Sequence, residues 1–98
     1  MAIKKNFRIA VHPGEVLQMM LNDSGTSQSE LARKLKEKHS KINEITRGKR
    51  GISAVMAVKL GKTFGQSADL WMGLQDEWEL SQLDESKYSD LEPIKIIA

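Results

Sequence analysis

Residues 27–50, SQSELARKLKEKHSKINEITRGKR, constrain this chain most, because apolar positions recur there as two short helical stripes with only a few residues between them. Ser27 followed by Glu30 has the spacing of a capping box, in which the hydroxyl accepts from a free first-turn amide and the carboxylate returns to the cap amide. Leu31 and Leu35 then lie four apart on one helix face, with the small Ala32 beside them. Ile42 and Ile45, three apart, predict a second helix over about 40–47. Two stripes joined by so short a link must meet at a steep angle. That is the helix-turn-helix geometry, whose second helix enters the DNA major groove.

Charge follows the same segment. Residues 28–50 carry Arg33, Lys34, Lys36, Lys38, Lys41, Arg47, Lys49 and Arg50 against Glu30, Glu37 and Glu44, a balance of +5 in a chain whose total is only +2. Residues 1–12 add Lys4, Lys5 and Arg8 without an acid, whereas residues 51–98 sum to −4. A basic block beside an acidic one fits phosphate on one face and a different, basic partner on the other. Solvated charged helices would give the same composition, so the spacing of the stripes carries the argument.

With 98 residues the chain has the size of one domain with a single modest core. It has no cysteine, which removes disulfides, thiolate zinc sites and cysteine nucleophiles. No run approaches the roughly 18 to 20 apolar residues of a membrane span, and residues 1–13 lack a signal-length apolar core. A cytoplasmic protein with no membrane partner is the expectation.

Punctuation along the chain outlines five helices and an all-α fold. Pro13 and Glu15 suit a first turn, and Val16, Leu17, Met20 and Leu21 form a stripe that stops near Ser24 and Gly25. After the central pair, Gly48 is placed to close the second of them in a left-handed conformation. Ser53 caps a fourth helix with Met56, Ala57, Leu60 and Phe64 inward, and Gly65 stops it. Gly61, costly inside a helix by roughly 1 kcal/mol against alanine, implies close packing there. Ser67 caps a fifth helix in which Leu70, Trp71, Leu74 and Trp78 recur at helical spacing. That apolar face exceeds the needs of one small core, so Trp71, Leu74 and Trp78 are expected at a homodimer interface. Phe7, Ile9 and Val11 alternate with polar or small residues, and Ile94, Lys95 and Ile96 do so weakly. Short terminal strands are therefore possible, with a frayed arm and a loose tail as the alternative.

Catalysis has little to stand on. His12 and His39 are the only imidazoles, a helix lies between them, and no carboxylate pair stands at a metal spacing. The glycines sit at helix ends and packing positions rather than in a phosphate loop. No catalytic residue, metal site or cofactor is expected.

HPGEVL at 12–17, SQSELAR at 27–33, INEITRGKRGIS at 42–53 and SADLWMGLQDEWEL at 67–80 together resemble the HigA antitoxins, also called virulence-associated protein I, of the Xre and lambda-repressor-like superfamily. Helix-turn-helix motifs are common, but HPGE with GKRGIS and a distal LWMGLQ block is far more specific. The resemblance implies a five-helix lambda-repressor-like domain at 12–80, between a basic arm at 1–11 and an acidic extension at 81–98. It also implies homodimerisation, repression of the protein's own operon and neutralisation of a HigB-type messenger RNase; a symmetric dimer would in turn demand an inverted-repeat operator in double-stranded DNA. A free-standing phage or plasmid repressor without a toxin is the alternative, and a protein-binding module that no longer reads DNA is a second.

The family uses a glutamine like Gln28 at the DNA backbone and to brace the reading helix. His39, Ser40, Lys41 and Glu44 fall at the start and outer face of that helix. Lys41 can donate to guanine, and Glu44 can accept from cytosine or simply pair with Lys41. Asn43 flanks them and can reach backbone or base. Arg47, Lys49 and Arg50 read as phosphate clamps, or else as a solvated loop. The sequence departs from the family at Lys36, where a turn glycine is usual, and at Lys38, where a Ser or Thr cap is usual. The acids of residues 76–92, opposed only by Lys87, suit a basic toxin, or merely solubility.

Overall fold

The computed structural model describes residues 10–95, which form five α-helices and a short 3-10 turn at Glu85–Tyr88. The helices are α1 (Pro13–Ser24), α2 (Gln28–Leu35), α3 (His39–Thr46), α4 (Ala54–Phe64) and α5 (Ala68–Ser81). Four starts carry a side-chain cap. The Ser27, Ser53 and Ser67 hydroxyls accept from the amides of Glu30, Met56 and Leu70, and Glu30 completes the capping box by accepting from the Ser27 amide. At α1 the cap is an imidazole: His12 Nδ1 accepts from the Gly14 amide at 2.8 Å, and Pro13 occupies the first turn. Only α3 begins without a side-chain cap, at Lys38.

Helices α1, α2 and α4 end on left-handed residues, Gly25, Lys36 and Gly65. Lys36 (φ 57°) is the one non-glycine among the described residues with positive φ, a conformation that costs a lysine roughly 1–2 kcal/mol. The turn still closes as it would for glycine, with the Glu37 amide donating to the Ala32 carbonyl at 2.9 Å.

Every helix contributes to one core: Leu17 and Leu21, then Leu31, Ala32 and Leu35, then Ile42 and Ile45, then Met56, Ala57 and Leu60, and finally Trp71, with Ile52 from the α3–α4 loop. Helix α2 packs on α3 and α4, α1 on α3 and α5, and α4 on α5. Two glycines set the closest approaches. A Cβ at Gly14 would lie 1.7 Å from the Ile45 carbonyl oxygen, and one at Gly61 would lie 2.6 Å from the Gln66 carbonyl oxygen. Gly61 thus marks close packing, as its placement inside a helix implied.

Two expectations need correction. Trp71 is fully buried within its own chain, packed near Phe64 and donating its indole N–H to Gln66 Oε1 at 3.0 Å, so it has no surface to give a second copy. Leu74 and Trp78 are half-buried, while Leu70, counted on the same stripe, is exposed. The strand expectation finds no support at Val11, Ile94 or Lys95, none of which is in a strand; Phe7, Ile9 and Ile96 lie outside the described residues, as do Lys4, Lys5 and Arg8. No helix among the described residues is long and apolar enough to cross a membrane.

Candidate nucleic-acid interface

Helix α3 has one apolar edge and one wet edge. Ile42 and Ile45 are fully buried, which turns the opposite edge outward and leaves His39 and Ser40 exposed and Lys41, Asn43 and Glu44 half-exposed. Arg47, Lys49 and Arg50 follow in an exposed loop. All the residues singled out for DNA contact except Gln28 therefore lie along one helix and the loop leaving it.

Gln28, at the first turn of α2, stands behind that edge. Its amide nitrogen donates to Thr46 Oγ1 at 3.1 Å and to Gln18 Oε1 at 3.2 Å, and its oxygen accepts from Asn43 Nδ2 at 3.3 Å. Thr46 donates in turn to the Asn43 carbonyl, and Gln18 Nε2 to Asn22 Oδ1. One side-chain amide thus joins α1, α2 and α3. Gln18 and Thr46 were not singled out from the sequence, since an amide on an amphipathic helix looks like an ordinary surface residue until its partners are known.

The charged groups are paired specifically. Arg50 grips a single Glu44 oxygen through Nε at 2.8 Å and Nη2 at 2.7 Å. Lys41 is bound not to Glu44, the pairing weighed as its alternative, but to Glu37 Oε1 at 2.9 Å. Glu37 Oε2 accepts from Lys59 of α4 as well. The hydrogen bond from Lys41, then that from Lys59, holds the Glu37 carboxyl well below the usual range, at about 2.

At the start of α1, His12 lies edge-on to the Trp78 ring, with centroids 4.7 Å apart and planes at 77°. Burial lowers its pKa below 6.5, partly opposed by Glu15. Gln75, buried on α5, caps the loop after α3: its Oε1 accepts from the Ile52 amide at 2.7 Å, and its Nε2 donates to Glu79 at 2.8 Å. Gly51 makes room for that amide, because a Cβ there would lie 2.8 Å from Gln75 Nε2. Gln75 was also missed, a buried polar residue within a stripe read by its hydrophobic members. Among the described residues no group of three or more His, Asp or Glu is placed to hold a metal ion.

This arrangement has relatives. A helix-turn-helix family model matches residues 17–71. Virulence-associated protein I of Dichelobacter nodosus is 40% identical over 86 residues, 87% of this chain and 80% of its own length. The structure of the Pseudomonas aeruginosa antitoxin HigA with the higBA promoter superposes with a TM-score of 0.80 at 39% identity, covering 89% of this chain and all (100%) of that one. Antitoxin GraA in complex with its operator gives 0.84 at 26% identity over 96% of this chain and 100% of that one. Matched across most of its length in both sequence and structure, the chain belongs to the helix-turn-helix family and, within it, to the group of virulence-associated protein I and the HigA antitoxins.

Proposed function

We propose that the chain is a DNA-binding antitoxin: it represses its own operon through α3 and neutralises a HigB-type messenger RNase. The observation that carries the DNA half is the outward edge of α3, held in place by Gln28 and continued by the basic loop at 47–50. His39, Ser40, Lys41 and Glu44 are assigned to base edges, Asn43 to base or backbone, Gln28 to the backbone and to bracing, and Arg47, Lys49 and Arg50 to phosphates. Arg50 holds only one Glu44 oxygen, so the other is left as an acceptor for cytosine, and release of Arg50 would free its guanidinium for phosphate. No step in this reading is catalytic, and it calls on no cofactor. A cytoplasmic location follows from work on the genome and messenger RNA.

One reading helix touches too few base pairs for useful specificity, so a homodimer is proposed, with Leu74 and Trp78 in its contact. It would read an inverted repeat with half-sites about 34 Å apart. The acidic extension at 81–98 is assigned to the basic toxin.

The test is binding to the protein's own promoter across a salt series. Lys41→Ala should cost roughly 1–3 kcal/mol on the promoter and relax one base position. Arg50→Ala should weaken all duplexes alike and flatten the salt slope by about one unit. Equal losses on promoter and random duplex for Lys41→Ala would remove it from base reading. Toxin binding that survives truncation after Leu80 undiminished would remove the extension from the mechanism.

A further inference from the structure

Glu37 has no role in the reading above, yet it is the most tightly engaged acid on the DNA-facing side. Its backbone amide is tied to the Ala32 carbonyl, and each of its carboxylate oxygens is bound to a different lysine. One of those lysines, Lys41, is on the reading helix; the other, Lys59, comes from α4, outside the helix pair. The Glu37 side chain is only 14% exposed, whereas those of Lys41 and Lys59 are 36% and 32% exposed. An acid between two cations thus sits just behind the surface from which the cations emerge.

A lysine on its own is a flexible point charge that binds phosphate wherever it finds it. An ammonium has three N–H donors, so Lys41 held at 2.9 Å by Glu37 keeps two, on a nitrogen that is now fixed in place. Lys59 prevents two harmful outcomes: it stops the carboxylate from taking Lys41 entirely, and it offsets a negative charge that would repel the DNA. We infer that Glu37, braced by Lys59, is a specificity-determining positioning residue for Lys41, converting a general phosphate cation into a directed base donor. The inference rests on the reading of α3 as the DNA-reading helix.

A purely structural tie between the α2–α3 turn and α4 makes a different prediction. Its loss would lower affinity for every duplex in parallel, or change none. The directed-donor role predicts opposite movements. Glu37→Gln keeps the shape and releases both cations, so affinity for a scrambled duplex should rise several-fold and its salt slope should steepen by about 0.9 per added phosphate contact. Affinity for a duplex selected from a randomised pool by the wild-type protein should fall, and the ratio of the two affinities should drop roughly tenfold. Lys59→Met, which keeps the stem, should leave Lys41 captured, so scrambled-duplex affinity falls and the slope becomes shallower; Lys59→Arg should restore both. Circular dichroism of each variant reports folding independently. A ratio unchanged within twofold in Glu37→Gln, or parallel losses on both duplexes, would overturn the inference, as would Lys59→Met leaving scrambled-duplex binding and its salt slope unmoved. Failure of the wild-type protein to select any duplex would instead overturn the DNA-reading function itself.

Discussion

Replacing Gly14 with alanine should be the most damaging single-methyl change in the protein. The added Cβ would lie 1.7 Å from the Ile45 carbonyl oxygen and 2.7 Å from its carbon. Carbon–oxygen contacts ordinarily begin near 3.3 Å, so α1 and α3 would have to separate by about 1.5 Å. The obstacle is backbone and cannot swing aside, which places the overpacking cost at the upper end of its usual range, about 3 kcal/mol. The added Cβ would also crowd His12 Nδ1 at 3.0 Å, the acceptor of the Gly14 amide, and loss of that cap adds about 1 kcal/mol. In a domain of this size 1 kcal/mol moves the melting temperature by about 4–8 °C, so Gly14→Ala should melt roughly 15–30 °C lower. Differential scanning calorimetry measures it. Gly73→Ala is the control, since a Cβ there meets nothing within 4 Å and alanine should stabilise the middle of α5 by about 0.5–1 kcal/mol. A Gly14→Ala midpoint within about 4 °C of wild type would refute the reasoning. Because Ile45 belongs to α3, whatever Gly14→Ala protein remains folded should also lose promoter affinity.

Three further outcomes can be checked in the same instrument. Lys36→Gly relieves the left-handed lysine and should raise stability by about 1 kcal/mol; a lower midpoint would mean that the lysine is not strained. Gln75→Leu leaves the Ile52 amide buried without its acceptor and should cost about 1–3 kcal/mol, whereas a neutral result would mean that the loop repacks around another acceptor. His12 gives a pH dependence: its folded pKa lies below 6.5, so below pH 6.5 the unfolded chain binds more protons. The stability it contributes is complete above pH 6.5 and declines as pH falls through its lower folded value. Glu37, lowered from 4.5 to about 2, contributes stability that is lost mainly as pH falls through 4.5 and below, so it adds little to the decline between pH 7.5 and 5. His12→Asn keeps a capping oxygen and cannot titrate, so its midpoint should fall less than that of wild type between pH 7.5 and 5; identical pH profiles would exclude His12 as the source.

The helices were legible because their ends are written in local chemistry. Ser27, Ser53 and Ser67 act within three residues of themselves, and a glycine needs no knowledge of the rest of the chain to end a helix. Even the departures at Lys36 and Lys38 produced the strained turn and the uncapped helix that the residue types imply. Depth was harder to read. The stripe on α5 could not say that Trp71 is enclosed and Leu70 exposed, because which edge of a helix is buried depends on where α4 lies. Partnership was hardest. Lys41 has an acid three positions ahead at Glu44 and another four behind at Glu37, and the spacing rule admits both. The choice falls to Glu37 because Lys59, remote in sequence, steadies that carboxylate, while Arg50 occupies Glu44. Gln18, Thr46 and Gln75 share this trait: each matters through a partner ten or more residues distant, in Gln18's case through Gln28.

The junction of α1, α2 and α3 is built from uncharged groups, the amides of Gln18, Gln28 and Asn43 and the hydroxyl of Thr46, whereas the rim proposed to meet phosphate is ionic. Ions in solution weaken the rim and leave the junction alone. On the proposed reading, α3 should therefore arrive at a duplex with its orientation set by the junction, at any ionic strength that leaves the protein folded. Travel along non-cognate DNA then becomes a matter of making and breaking rim contacts only. Salt should set how long each encounter lasts, and the fixed junction should set how quickly a correct site is recognised once it is reached.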